Sequence, residues 1–381
     1  MYNSLTWVEI SKANLLHNVG VLRGLIGDDQ ILCSAVKSNA YGHGMTTVAP
    51  IMKEAGTNWF GVNSLSEAVE LYECGIDAPI YIMGYIPLDE LEEVVLRGFH
   101  FVVYNKETFV RLREIVTSTG EVAHTHLKLE TGNNRQGVVA DDLEWFIDMY
   151  KGDKGLVLEG LATHFANIED TTDHSYALLQ LEKFEKMVSS ARAAGLEPNY
   201  IHCANSAATI LFPKTYFNFV RAGLSNYGMW PSNETLVSSL QEGRRIEFKP
   251  VLSWKTRIAQ IKRVPAGSFV GYGCTFKTTH DSLLAVLPIG YYDGYDRMLS
   301  NNSYVLIDGK RAPVRGRVAM NMTMVDVTDI PTASLEKEVT LLGVEGDEKI
   351  SAEQLAQFSE TINYEVTTRI NDRIERRLVD S

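Results

Sequence analysis

The sequence predicts an α/β fold, in which a (β/α)8 TIM-type barrel is followed by a mainly β C-terminal domain. Up to about residue 230, apolar strand-like runs alternate with amphipathic helix-like stretches, a pattern typical of parallel sheets. Eight strand-like runs are present, which favours a closed barrel over an open sheet. After Trp230, short strand signals and turns replace the alternation. We therefore place the barrel in residues 1–235 and the β domain in residues 236–381.

The barrel elements follow one another in a regular order. The stretch "WVEISKANLLHNVGVLRGLI" is interpreted as an extra helix ahead of the first barrel strand. The strand-like runs are ILCSAV, NWFGV, PIYIMG, FHFVVY, THLKLE, LEGLATHF, NYIHCA and FNFVRAG. Several of the helix-like stretches between them end on Gly, as a helix C-terminus favours: SLSEAVELYECG, DELEEVVLRG, KETFVRLREIVTSTG and SYALLQLEKFEKMVSSARAAG. The last helix of the alternation must be short, around SAATILF.

The second half of the chain reads as a β domain. Its strand signals are VLSWKTRIAQIKRV, DSLLAVLPIG, SYVLIDGKRAPVRGRV, TMVDV and EVTLLGV. The Asp308-Gly309 pair lies between two apolar runs and predicts a hairpin turn. One helix is expected, over SAEQLAQFSE.

Composition restricts the class of protein. The 381 residues are 45% hydrophobic and 22% charged, as in an ordinary soluble globular protein. A net charge of −12 disfavours nucleic acid or an anionic membrane as the main partner. We find no signal peptide and no apolar run of membrane-spanning length. The four cysteines are scattered and form no C-x-x-C pair, which favours reduced thiols and a cytoplasmic protein.

Polar residues recur where the predicted strands end, which is the rim of a barrel that carries reactive groups. A hydroxyl and Gly-lined backbone N–H groups after the seventh and eighth strands suit a phosphate. A lysine opposite a phosphate site suggests covalently bound pyridoxal phosphate. The residues at the strand ends are Lys37, Lys128, Arg135, His164, Asn205, Ser206, Arg221 and Gly223.

No metal site is predicted. His124 and His126 put two imidazoles on one strand face, but no third ligand is predicted nearby. The acidic patch around Asp170 and Asp173 is interpreted as a solvated helix start, because Asp and Thr cap helices.

Nine motifs carry a resemblance to a known family. The stretch AVKSNAYGHG looks like the pyridoxal-phosphate lysine signature of the alanine racemase family. Eight further motifs fall in the family's order and at its spacing: LKLETGNNRQG, ATHFAN, HCANSAA, RAGLSNYG, VGYGCTF, LPIGYYDGY, APVRGRVAMNMTMVDVT and INYEV. The resemblance covers nearly the whole chain. It implies an isomerase, a cytoplasmic homodimer with a barrel and a β domain, that interconverts L-alanine and D-alanine for cell-wall peptide.

The resemblance also implies roles for individual residues. Lys37 would carry pyridoxal phosphate and act as one catalytic base, and Tyr272 would be the other base, supplied by the partner subunit. Arg221 would face the pyridine nitrogen of the cofactor, with His164 in its neighbourhood. The remaining cofactor-binding residues would be Tyr41, Asn205, Ser206, Gly223, Leu224 and Tyr364, mainly around the phosphate. Arg135 would contact the cofactor and the substrate carboxylate, the backbone of Met320 would meet that carboxylate, Tyr291 would line the substrate entrance, and Lys128 matches a lysine that is carbamylated in several relatives.

These residue types suit racemisation. Removing an α-proton from one face and returning one to the other is easiest with two bases on opposite sides of a planar carbanion. A phenol has an ordinary pKa near 10, so cationic neighbours must depress it for Tyr272 to act as a base. Arg221 cannot give its proton to the pyridine nitrogen, which should limit side reactions such as transamination.

Some positions depart from the family pattern and leave alternatives open. Ala319 and Asn321 stand where relatives commonly have Cys and Asp, and Asn167 and Glu375 are also unusual. These departures keep serine, or a broader set of amino acids, as an alternative substrate. A non-catalytic pyridoxal-phosphate-binding protein of cofactor homeostasis would lack the β domain and Tyr272. The decarboxylases that share both domains have a glycine-run phosphate loop and a cysteine–aspartate motif, which are missing here.

Overall fold

A computed structural model describes residues 4–380 and divides them into two compact units. The barrel unit consists of residues 15–38 and 48–248, and the β unit consists of residues 4–14, 39–47 and 249–380.

The strands, in chain order, are β1 Thr6–Ser11, β2 Ile31–Ala35, β3 Trp59–Val62, β4 Ile80–Ile82, β5 His100–Val103, β6 Ala123–Lys128, β7 Leu156–Ala162, β8 Tyr200–His202, β9 Phe219–Ala222, β10 Leu252–Arg257, β11 Gln260–Val264, β12 Phe269–Val270, β13 Phe276–Lys277, β14 Ser282–Leu287, β15 Tyr304–Ile307, β16 Lys310–Pro313, β17 Thr323–Asp326, β18 Glu338–Glu345, β19 Glu348–Ile350 and β20 Glu375–Val379. The helices are α1 Lys12–Ile26, α2 Lys37–Tyr41, α3 Met45–Glu54, α4 Leu65–Glu73, α5 Leu91–Leu96, α6 Lys106–Thr119, α7 Ala140–Lys151, α8 Ser175–Ala193, α9 Ser206–Leu211, α10 Asn233–Gln241, α11 Ala352–Phe358 and α12 Asn363–Thr368.

The barrel unit contains the predicted barrel. Eight parallel strands are arranged in the order β8-β7-β6-β5-β4-β3-β2-β9. Within residues 4–380 no ladder joins β8 to β9. This seam is instead bridged by a single backbone bond, in which the Arg221 N–H donates to the Ala204 carbonyl over 3.1 Å. The fold class predicted from the sequence is confirmed, and every predicted strand-like run overlaps one of these strands.

Apolar and aromatic side chains fill the interior of the barrel. A cluster of Cys33, Trp59, Tyr81, Val102 and Phe219 is buried there. The rings of Trp59 and Phe219 meet edge to face with their centroids 5.2 Å apart, a favourable arrangement for aromatic pairs. The barrel is therefore a packed core, and ligand chemistry is left to its rims.

Local sequence signals mark the ends of some of the barrel helices. The Ser64 hydroxyl accepts from the Glu67 N–H at the start of α4, and the Asn205 side chain accepts from the Ala208 N–H at the start of α9, as N-cap residues do. α6 ends at Gly120, which has the left-handed conformation that glycine favours. α9 is short, as the sequence predicts.

The N-terminal segment differs from the prediction. The helix expected over 7–26 is present only from Lys12, because Thr6–Ser11 forms β1 instead. β1 pairs antiparallel with β10 and parallel with β20, so it belongs to the β unit, whereas the predicted domains were 1–235 and 236–381. The strand depends on partners from the far end of the chain, which local periodicity does not reveal.

The β unit is built from three sheets. The largest has the order β16-β15-β18-β10-β1-β20, with β19 paired to β18, and the smaller ones are β11-β14-β17 and β12-β13. Asp308 and Gly309 turn between β15 and β16 with φ of 49° and 70°, which confirms the predicted hairpin. The predicted helix is α11. Among residues 4–380, no helix has the length and apolar character needed to cross a membrane.

Candidate active site

Lys37 lies two residues beyond the end of β2, at the carboxyl rim of the barrel, and is half-buried. The backbone then becomes left-handed over the next four residues. Their φ angles lie between 51° and 55°, at Ser38, Asn39, Ala40 and Tyr41. Left-handed backbone costs a non-glycine residue roughly 1–2 kcal/mol, and four consecutive examples are unusual. This left-handed turn fixes the direction in which the chain leaves the lysine.

Glu67 holds the start of that turn. One of its carboxylate oxygens accepts from the Ser38 N–H and the other from the Asn63 N–H, each over 2.6 Å. Burial lowers the pKa of Lys37, and the positive charge of Arg135 lowers it further, while Glu67 opposes the shift. A lowered pKa favours the neutral amine, which is the nucleophilic form of lysine.

Four other predicted residues share the electrostatic environment of Lys37. Arg135 and Arg221 act on the pKa of Lys37, Lys128 and His164 alike. Burial, followed by the charge of Arg221, lowers the pKa of His164 well below its ordinary value, so its imidazole is neutral. The rim therefore carries an excess of positive charge, which suits an anionic ligand.

Lys128 is the last residue of β6, and its amine donates to the Gln136 side-chain oxygen over 2.9 Å. Gln136 in turn donates to the Tyr104 hydroxyl over 3.1 Å. Burial and the charges of Arg221 and Arg135 lower the pKa of Lys128 to about 7. Lys128 is thus partly neutral near neutral pH, and it lies among guanidinium groups that would attract a negative charge.

Arg221 is buried in β9 and anchored on several sides. Its guanidinium donates to the Thr163 carbonyl over 2.8 Å and also contacts His202 Nδ1. Because arginine only donates, His202 Nδ1 must accept, and the remaining proton of a neutral His202 sits on Nε2. That proton is donated to His126 Nδ1 over 2.8 Å. Burial lowers the pKa of both histidines far enough to keep them neutral.

The next predicted group lies at the ends of β8 and β9. The Gly223 N–H donates to the Ser206 hydroxyl over 2.9 Å, and Asn205 caps α9 and donates to Glu169 over 3.2 Å. Leu224 begins the following short helical turn. Within residues 4–380, the buried Ser225 hydroxyl next to it has no hydrogen-bond partner, and such an unsatisfied group needs an explanation. A phosphate oxygen would satisfy it.

These residues fit pyridoxal phosphate. An amine with a lowered pKa can bond the aldehyde carbon, the surrounding cations suit the anionic groups, and an orphaned hydroxyl beside Ser206 and Gly223 suits the phosphate. Arg221 presents a donor that cannot be deprotonated.

In the β unit, the structure brings Tyr41 and Tyr364 together, with ring centroids 6.1 Å apart. Gly42 follows Tyr41 with φ of 84°, and a Cβ atom there would lie 2.0 Å from the Thr367 carbonyl oxygen. Only glycine permits this close approach of the two backbone segments.

A second group in the β unit surrounds an open depression of about 710 Å³. Tyr272, Tyr291 and Met320 line it together with Ala319 and Asn321. Tyr272 sits on a tight turn between two glycines with φ of 70° and 73° and is 75% exposed. The three predicted residues are therefore neighbours at the surface of this unit.

Sequence reasoning missed three residues that support the site. Glu67 holds the turn after Lys37, Gln136 holds Lys128, and His202 holds Arg221. Gln136 and His202 lie inside two of the nine motifs, which was an available signal. Glu67 lies inside a helix-like stretch, where nothing in the sequence distinguishes it from the other acidic residues.

Comparisons with known proteins agree with one another. The chain matches the family descriptions "Alanine racemase, N-terminal domain" over residues 10–231 and "Alanine racemase, C-terminal domain" over residues 251–378. It is 41% identical to the alanine racemase of Leptospira interrogans over 377 residues, which cover 98% of this chain and 96% of that protein. It is 38% identical to the alanine racemase of Halothermothrix orenii over 371 residues, 97% of this chain and 96% of the relative.

Solved structures give the same result. The alanine racemase of Streptomyces lavendulae superposes with a TM-score of 0.92 at 32% identity, covering 100% of this chain and 98% of that one. The alanine racemase of Bacillus anthracis, solved with bound L-Ala-P, gives a TM-score of 0.92 at 34% identity, covering 100% and 96%.

Proposed function

The chain belongs to the alanine racemase family, and from that premise we propose that it racemises alanine with pyridoxal phosphate held on Lys37. The enzyme is an isomerase of the racemase type. Lys37 is the single observation that carries the proposal, because its half-buried amine lies among cations at the carboxyl rim of a barrel. Catalytic groups of barrel enzymes lie at that rim.

The cofactor-binding residues are proposed from the arrangement at the strand ends. Ser206, the backbone N–H of Gly223 and that of Leu224 would hold the phosphate, with Asn205 positioning the start of α9. Tyr41 and Tyr364 are proposed as further phosphate contacts from the family resemblance. Arg221 would donate to the pyridine nitrogen, and neutral His164 would lie beside the positive groups without adding charge. When bound, pyridoxal phosphate delocalises the electron pair left on the substrate α-carbon.

Two bases would move the α-proton. Lys37 would serve the face from which D-alanine loses its proton, and the Tyr272 phenol would serve the face of L-alanine. Because each side chain reaches one face, one of them removes a proton while the other returns one.

The substrate would be held by its carboxylate. Arg135 offers a guanidinium fork that matches a carboxylate, and the Met320 backbone would contact the same group. Tyr291 would line the entrance. A carbamylated Lys128 would carry a negative charge that fixes Arg135 in place.

The partner is proposed to be a second copy of the chain, since exposed apolar side chains surround the proposed base. Tyr272 is 75% exposed, and Met320 and Met322 are each 56% exposed, a concentration that indicates an interaction surface. A homodimer would place this surface against the partner and supply Tyr272 to its site. We expect the enzyme in the cytoplasm, where it would supply D-alanine for peptidoglycan.

The function is tested by incubating the purified protein with each L-amino acid in deuterated water. We expect α-deuterium and the D-isomer to appear with L-alanine, because proton removal and return both draw on solvent. Borohydride reduction should attach the cofactor to Lys37, as located by mass spectrometry. Lys37→Ala should lose both results, whereas Lys214→Ala, which changes an exposed lysine, should keep them. A cofactor fixed on another lysine would contradict the assignment.

Serine is the second candidate substrate. Ala319 and Asn321 line the depression beside Tyr291 and replace the commoner Cys and Asp of the family. A hydrophobic pocket rejects an added hydroxyl only weakly. The same deuterium experiment with L-serine measures the preference directly.

A further inference from the structure

A second cluster of chemically active side chains lies at the opposite rim of the barrel. His100 is the first residue of β5, His124 the second of β6, and Glu159 the middle residue of β7. Each offers a ligand atom, and the three atoms lie within 4.8 Å of one another. Lys37, Lys128 and Arg221 lie at or near the carboxyl ends of their strands, and the buried His202 and His126 lie between Arg221 and this cluster.

Strand register explains why the three side chains meet. His100 pairs with His124 across β5 and β6. Between β6 and β7 the register shifts, so that Thr125 pairs with Leu158 but His126 pairs with Gly160. Glu159 is the extra residue of this bulge, and bulges re-aim side chains. Its carboxylate lies 2.7 Å from His124 Nδ1.

Neighbouring side chains hold these groups in place, as the partners of metal ligands do. The Asn199 amide donates to the other Glu159 oxygen over 2.9 Å, which fixes the carboxylate. With its Nδ1 accepting from His202, the buried His126 donates weakly from Nε2 to His100 Nδ1 over 3.4 Å. The other ring nitrogen of His100, Nε2, is left for a metal ion. The His124 side chain is 33% exposed and that of Glu159 is 11% exposed, which gives an ion access from solvent.

We propose that His100, His124 and Glu159 bind a divalent transition metal ion of the zinc class. Two imidazoles and one carboxylate are a ligand set that such ions favour, with a fourth position left for water. Ligands at about 2.0–2.1 Å from a tetrahedral ion lie about 3.3 Å apart, so the widest separation has to close by about 1.5 Å or less. The metal would cross-link three neighbouring strands and stabilise the barrel.

The test is metal titration of the full-length holoenzyme after dialysis against a chelator. Isothermal titration with Zn²⁺ should show one tight site per chain, and Co²⁺ should give visible d–d absorption in a difference spectrum. His124→Ala and Glu159→Gln should weaken binding at least 10-fold. Asn199→Ala, which removes only the carboxylate's partner, should weaken it about 10- to 100-fold. His280→Ala, at an exposed histidine, should leave it unchanged.

A thermal measurement separates this site from a hydrogen-bonded pair. Ligand binding to the folded state raises the melting temperature, so Zn²⁺ should raise it for the parent protein and for His280→Ala, but not for His124→Ala. Glu159→Gln has nearly the shape of the parent side chain, so this variant should fold and a loss of Zn²⁺ binding can be assigned to the missing carboxylate. Zn²⁺ binding of equal strength in the parent and Glu159→Gln proteins would overturn the proposal, as would no tight site in the parent. Neither result would affect the racemase assignment, which rests on the other rim.

Discussion

At the scale of single residues, Tyr272 gives the sharpest test of the proposed mechanism. Tyr272→Phe removes one proton carrier and leaves Lys37 in place. We expect racemisation to fall by about 10²–10⁴-fold or more, the usual contribution of a general base. D-alanine should still exchange its α-proton with deuterated water and keep its configuration, while L-alanine should scarcely exchange. Chiral chromatography with mass detection gives the amount and the deuterium content of each isomer. Equal exchange of the two isomers would show that one base serves both faces.

Lys128 gives a prediction that depends on pH. Its pKa is lowered to about 7 by burial and the neighbouring guanidinium groups, so the neutral amine predominates above pH 7 and the ammonium below it. Only the neutral amine reacts with carbon dioxide. With ¹³C-labelled bicarbonate, a carbamate resonance should therefore be present at pH 8 and decline as the pH falls through 7. Lys128→Arg keeps a positive charge but should lose the resonance; a signal that persists in this variant would place the carbamate elsewhere.

At the scale of elements, the left-handed turn after Lys37 depends on Gly42. A Cβ atom at Gly42 would lie 2.0 Å from the Thr367 carbonyl oxygen, whereas Gly75 has nearly the same φ, 86° against 84°, and open space around it. Gly75→Ala should cost roughly 1–2 kcal/mol of backbone strain. Gly42→Ala should cost about 1–3 kcal/mol more, because the overlap forces the backbone to move. Urea unfolding of both variants measures the difference in the free energy of unfolding. Equal losses of stability would mean that the backbone at Thr367 moves away without an energetic cost.

The elements also show what a sequence can predict. Most of the eight barrel strands are apolar and separated by amphipathic helices, so local patterns locate them. β1 was missed because Val8 pairs with Trp254 and Arg376, partners that no local window contains. Reactive groups of a barrel lie where its strands end, and this expectation correctly placed Lys37 and Arg221 at the carboxyl rim. The left-handed turn could not be foreseen, because Ser38 and Ala40 are not residues that favour positive φ.

At the scale of the whole molecule, the proposed dimer makes each site depend on two chains. Lys37→Ala and Tyr272→Phe proteins should each be inactive alone. After subunit exchange, a mixed dimer contains one site with both bases intact, so an equal mixture should recover about a quarter of the parent activity for a two-fold dimer. The control mixes the Lys37→Ala and Lys37→Met proteins. Both lack the Lys37 amine, so the mixture should stay inactive. No recovery despite demonstrated exchange would mean that both bases come from one chain.

Arg221 has a consequence for how this enzyme can evolve. Its backbone N–H bridges the seam between β8 and β9, and its guanidinium binds the Thr163 and Cys203 carbonyls at the ends of β7 and β8. The residue proposed to set the reaction type therefore also joins neighbouring strands of the barrel. An acidic residue at this position, which would make the pyridine ring a stronger electron acceptor, would keep the backbone bond but remove the guanidinium bonds to the Thr163 and Cys203 carbonyls and leave them unsatisfied. A change of chemistry at this position therefore also requires new donors for the carbonyls at the ends of β7 and β8.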